Sequence, residues 1–96
     1  MTTLDNLRRD YRAAFLAYLP RRDEAARHIG YRIGRAAVSD GLSILDLAEV
    51  HHEVLLEVLR DATGQEFTRL GNAGAEFFLE VLATYDMAQR APLPGA

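Results

Sequence analysis

Apolar side chains return at three- and four-residue steps along most of the chain, the repeat that lines up one face of an α-helix. From Leu4 to Leu19, the residues Leu4, Leu7, Tyr11, Phe15 and Tyr18 share a face, while Asp5, Arg8, Arg9 and Arg12 fall largely elsewhere. Pro20 predicts the end of this first helix, because proline disfavours helical geometry in the residue before it. A second helix is expected from Asp23, a suitable N-cap followed by Glu24 at the positive end of the helix dipole. Its buried stripe is Ala26, Ile29, Ile33 and Ala37. Gly30 and Gly34 lie one turn apart within it. Each costs a helix about 1 kcal/mol relative to alanine, so their presence predicts a close crossing with a neighbouring helix. Asp40-Gly41 supplies the stop.

The third helix starts behind Ser43, with Asp46 completing a variant of the capping box. Leu47, Ala48, His51, Val54, Leu55, Val58 and Leu59 form its apolar stripe, and it ends near Asp61 with Thr63-Gly64 as the break. The fourth runs from Gln65 or Asn72 to Gln89, its start blurred by Gly71 and Gly74, and Pro92, Pro94 and Gly95 prevent its continuation. The pattern predicts an all-α fold: a small antiparallel four-helix bundle over residues 1–90, with 91–96 a flexible tail or linker.

The fourth helix is apolar over more of its circumference than a bundle covers. Phe77, Phe78, Leu79, Val81, Leu82, Ala83, Tyr85 and Ala88 spread around more than half of it, and Glu76, Glu80 and Thr84 mark the polar stripe. A surface helix needs an apolar stripe only about 100° wide. The excess, at Leu79, Ala83 and Leu82, is therefore expected to meet another subunit or a partner.

Composition narrows the class. Ninety-six residues make one domain, and a chain this short buries only about 60–65% of its unfolded surface, so modest stability is expected. With no Cys there are no disulfides, thiolate nucleophiles or cysteine–zinc patterns, in keeping with a reducing cytoplasm. The opening Met-Thr-Thr-Leu-Asp lacks the segments of a signal peptide, and no apolar run reaches the roughly 18–20 residues of a membrane span. A cytoplasmic protein without membrane contact is the expectation. Charge is uneven: residues 1–40 carry eight Arg against five acids, residues 41–96 three Arg against nine, and there is no Lys. The Arg residues are interspersed with acids and lack a stacking motif, which disfavours nucleic acid; two halves facing each other with complementary charge is the simpler expectation.

Little points to chemistry. Glu49-x-x-His52 has the one-turn spacing of di-iron bundles, but no second such motif exists, and Glu24 with His28 is spaced by four. No metal and no cofactor are therefore expected. Ser39 and Ser43 sit beside helix ends, where capping explains them. Glu53-Glu57 and Glu76-Glu80 are taken as solvated faces. His51, within an apolar stripe, is expected to be buried and hydrogen-bonded, with His52 turned towards solvent. Arg35 follows Gly34 near the buried side of the second helix, where a guanidinium needs a carboxylate, Glu49 or Glu80. His51, Gly34 and Arg35 thus read as structural residues, and no catalytic residue is assigned.

Several segments in order carry a resemblance. They are Tyr11 to Tyr18, Tyr31-Arg32-Ile33-Gly34-Arg35-Ala36, Gly41-Leu42-Ser43 leading into Leu47-Ala48-Glu49-Val50-His51, and Phe77-Phe78-Leu79-Glu80-Val81-Leu82-Ala83-Thr84-Tyr85-Asp86-Met87-Ala88. Together they resemble the amino-terminal domain of RsbU-type serine phosphatases, regulators of bacterial stress-response partner switching. The resemblance implies a four-helix domain that pairs as a homodimer and docks a switch kinase of the RsbT type. It also implies that the phosphatase chemistry lies in a separate downstream domain. It puts the partner surface on helices two and four, at positions matching His28, Leu79 and Ala83. His28 stands where an aromatic is expected and Ala83 offers little area, which implies a different or weaker partner. The rival expectation is a purely structural dimerisation domain at the head of a sensor or output protein.

Overall fold

The computed structural model describes residues 2–90; the expected tail, 91–96, lies outside them. Four helices follow one another: α1 (Thr3–Arg21), α2 (Glu24–Ser39), α3 (Ile44–Leu59) and α4 (Gln65–Arg90). Their starts are chemically fixed. Thr2 and Ser43 each accept the backbone N–H three residues on, and Asp5 and Asp46 return the bond, so α1 and α3 open on complete capping boxes. Asp23 accepts from the Ala26 N–H at 2.9 Å and opens α2. Gly41 (φ 72°) and Gly64 (φ 57°) make the left-handed turns after α2 and before α4.

Two boundaries differ from expectation. Pro20 does not end α1 but sits in its last turn, where its missing N–H forfeits a single bond. The chain leaves the helix at Arg22, whose left-handed backbone (φ 47°) sends its N–H to the Tyr18 carbonyl at 2.8 Å. The glycines of α4 do not delay its start: the helix is continuous from Gln65 through Gly71 and Gly74.

Successive helices alternate in direction. Around the bundle the order is α1, α2, α4, α3, so α2 rests on α1 and α4, while α3 rests on α4 and α1. That order sets α2 parallel to α4: Gly30 faces Phe77 and Val81, and Gly34, one turn on, faces Val81, Thr84 and Tyr85. The core centres on Phe77, which is fully buried; Tyr11, Phe15 and Tyr18 of α1 surround it at centroid distances of 5.4, 5.6 and 5.3 Å. Ile29, expected in the buried stripe of α2, is exposed on its α1 side.

Outside the core, the basic first half meets the acidic second half. Arg8 bonds Glu53 and Arg12 bonds Glu57, each at 2.7 Å, which joins α1 to α3. Arg22 pairs with Glu76, which also accepts from the Tyr18 hydroxyl at 2.8 Å, joining α1 to α4. Glu53, Glu57 and Glu76 are thus cross-helix partners rather than merely solvated. The Arg12 and Arg22 guanidinium groups hold the Glu57 and Glu76 carboxyls below the ordinary carboxylate range.

Candidate functional site

The exposed side chains of α4 and its neighbours form the candidate site. Leu79 is 67% exposed and Ala83 lies one turn further on the same outward face, with Met87 (69%) another turn along. Large apolar groups at such exposure, in register on one helix, make an unpartnered stripe.

Beside that stripe runs a groove between α2 and α4. Gly34 makes it: the backbones approach so closely that a Cβ added there would lie 2.6 Å from the Val81 carbonyl oxygen. Thr84, expected in the polar stripe, is buried (5% exposed) by this approach and donates its hydroxyl to the Glu80 carbonyl at 2.9 Å. One end of the groove is lined by Glu24, Arg27, His28, Tyr31 and Glu80. The other is lined by Tyr31, Arg35, Val38 and Ser39 from α2 and Thr84, Met87 and Ala88 from α4.

His28 stacks on Tyr31, with centroids 5.3 Å apart and 12° between the rings. The structure thus brings His28 beside Glu80, and Ala83 and Leu79 adjoin Glu80 on the helix surface. Leu82 does not join them. It is half-buried and follows Phe78 by one turn on the flank where Phe78 stacks on His51 of α3, 4.0 Å between centroids.

Arg35 requires a correction. It is exposed, not near the buried side, and binds neither Glu49 nor Glu80. One residue after Gly34 the helix has turned by about 100°, which carries Arg35 from the α4 contact to the rim of the groove. There its Nη1 donates to the Tyr31 hydroxyl at 3.0 Å, with the guanidinium carbon 5.7 Å from the ring centroid.

His51 is half-buried, with its Nδ1 2.6 Å from the Tyr11 hydroxyl. Burial lowers the His51 pKa to about 4 and raises that of Tyr11, so a protonated hydroxyl and a neutral imidazole share this hydrogen bond. This pair belongs to the α1–α3–α4 packing. Glu49 and His52 are both exposed on α3, and among the described residues no three His, Asp or Glu side chains converge on a point that could hold a metal.

Sequence reasoning missed two exposed leucines on α3, with Glu49 and His52 between them on the same face. Leu45 (70% exposed) and Leu56 (51%) lie three turns apart on the outward side of α3. The signal was present in the spacing, because eleven residues return a helix almost to the same angle.

The RsbU phosphoserine phosphatase N-terminal domain family model matches residues 9–88, from the middle of α1 to the last turn of α4. The chain belongs to that family. The RsbU domain is the regulatory, non-catalytic amino-terminal part of those phosphatases, and the match covers the bundle and the α2–α4 groove together. No curated protein and no solved structure matches the chain. Among the described residues no helix is long and apolar enough to cross a membrane.

Proposed function

We propose that this RsbU N-terminal domain is a non-catalytic docking and pairing module of a cytoplasmic partner-switching pathway. It receives a switch kinase of the RsbT type and so governs a serine phosphatase or similar output. The observation that carries the reading is the exposed Leu79–Ala83 stripe beside the α2–α4 groove, within a chain of this family. The kinase covers that stripe and the groove with His28 at its upper end, and the outward face of α3 that carries Leu45 and Leu56 serves self-association.

Leu79→Asp tests it. An exposed leucine contributes little to the folded monomer, so helicity and melting temperature stay near wild type. Burying a leucine against a partner is worth about 1.5–3 kcal/mol, and an aspartate there adds an unpaired charge. Affinity for the kinase, read by calorimetry, is expected to fall at least about tenfold. Dimer formation, read by light scattering, is expected to persist, and a variant that kept kinase binding would show the surface to be misassigned. The exposed Leu45 and Leu56 of α3 also favour a second reading, a purely structural dimerisation domain. In that case Leu56→Asp abolishes pairing and Leu79→Asp changes nothing.

A further inference from the structure

Arg35, like Arg27 and Arg32 of α2, differs from the arginines of α1 and its C-cap. Arg8, Arg9, Arg12, Arg21 and Arg22 each pair with a carboxylate, whereas among the described residues no carboxylate pairs with Arg35. Its guanidinium is nevertheless held in place, by the 3.0 Å bond to the Tyr31 hydroxyl and by the Tyr31 ring beneath it. Tyr31 is in turn stacked on His28. A cation fixed in this way loses less rotamer freedom on binding than a free surface arginine, and most of its N–H donors are unused.

The groove next to it has the complementary character. Val38, Met87 and Ala88 give apolar walls, and the Thr84 hydroxyl at its floor is spent on the Glu80 carbonyl. Its volume of about 260 Å³ falls below the usual range for cofactor sites, roughly 300–1,000 Å³, and suits an inserted side chain. An apolar slot with one guanidinium at its rim matches a carboxylate on a methylene stem. A phosphate dianion is matched by a cluster of arginines, and this rim has one.

Resting on the docking function proposed above, we propose that the lower end of the α2–α4 groove takes a glutamate side chain from an acidic patch of the partner protein. Its stem packs between Val38 and Met87, and its carboxylate accepts from Arg35. Charge then selects the partner where the small Ala83 contributes little area.

The test measures binding of the RsbT-type kinase from the same genome to the wild-type domain and to Arg35→Gln, Arg35→Lys and Arg35→Glu, by calorimetry at two salt concentrations. Thermal melts verify that each variant is folded. Removing one partner of a desolvated charge pair weakens binding by about thirtyfold or more, so Arg35→Gln is expected to do so, with Arg35→Lys intermediate and Arg35→Glu worst. Replacing one kinase glutamate by arginine restores binding to Arg35→Glu. If the kinase binds the wild type and is lost on Leu79→Asp but not on Arg35→Gln, the docking reading stands and the glutamate anchor is wrong. If the kinase does not bind the wild type, both are overturned.

Discussion

Gly34→Ala is the most exacting perturbation of this bundle, because a single methyl group reports on how closely α2 and α4 approach. An alanine Cβ would lie 2.6 Å from the Val81 carbonyl oxygen, 2.9 Å from the Thr84 Cβ and 3.0 Å from the Tyr85 nitrogen. Ordinary contact begins at 3.4 Å, so the worst of these is too short by about 0.8 Å. Two of the three obstacles are backbone atoms and cannot rotate away. The helices must separate, loosening the contacts that bury Thr84 and Val81. Overpacking of this kind costs about 1–3 kcal/mol, here at the upper end, and the better helix propensity of alanine returns about 1 kcal/mol. The net is a loss of about 1–2 kcal/mol, or a fall in melting temperature of roughly 5–15 °C for a domain of this size.

Two other helical glycines, Gly30 and Gly71, are internal controls. At Gly30 the nearest atom is the rim of the Phe77 ring at 3.2 Å, a few tenths of an ångström too close rather than nearly a full one, so alanine there is expected to cost clearly less than at Gly34. At Gly71 nothing lies within 4 Å, and alanine should stabilise the fold by up to about 1 kcal/mol. The assay is thermal and urea denaturation followed by far-ultraviolet circular dichroism, at one protein concentration for all variants. A Gly34→Ala domain as stable as Gly71→Ala would refute the reasoning, since α2 and α4 could not then be so close.

Two further perturbations address the polar interior. His51 has its pKa lowered to about 4 from an ordinary value near 6.5, so the unfolded chain takes up a proton before the folded one does. Its contribution is fully present above about pH 6.5 and is lost as pH falls towards 4; His51→Gln should flatten the slope of stability against pH in that window, measured by urea midpoints. Tyr85, buried at 8% exposure, donates to the Leu42 carbonyl at 2.8 Å, tying the end of α4 to the α2–α3 turn. Tyr85→Phe should cost about 1 kcal/mol, and an unchanged melting temperature would mean that water replaces the bond at no cost.

How much of this was legible in the sequence follows from the range over which each cause acts. Asp23 and Ser43 fixed the starts of α2 and α3, because a cap acts on the next three residues. Leu79 and Ala83 were legible as surface because the apolar arc of α4 exceeds what one bundle can cover. Pro20 misled because the rule for proline holds for helix interiors, and this one lies in a last turn facing solvent. Thr84 misled because its burial depends on Gly34, fifty residues away, and the Glu53 and Glu57 pairings depend on arginines of α1 forty-five residues away. Arg35 was misplaced by a single step along α2, which on a helix is a quarter-turn and separates the α4 contact from the groove rim.

The glycine at that contact links stability to the surface beside it. Without a Cβ at position 34, α2 lies against α4 closely enough for the Tyr31–Arg35 rim and the Thr84–Met87 wall to form one groove. Were the helices a side chain further apart, Thr84 would be wet and Arg35 would stand over open solvent. The groove is therefore a product of backbone approach rather than of loop shape, and its walls are two rigid parallel helices. Rigidity suits docking, since the surface does not have to be ordered again at each encounter. The outward stripe of Leu79, Ala83 and Met87 rides on one of those helices, so whatever covers the stripe and the groove together also grips the last three turns of α4. Those turns are held to the bundle by Thr84, buried against Gly34, and by Tyr85, bonded to Leu42. Binding at the groove and the position of the end of α4 are thus set by the same few contacts, and a change in one bears on the other.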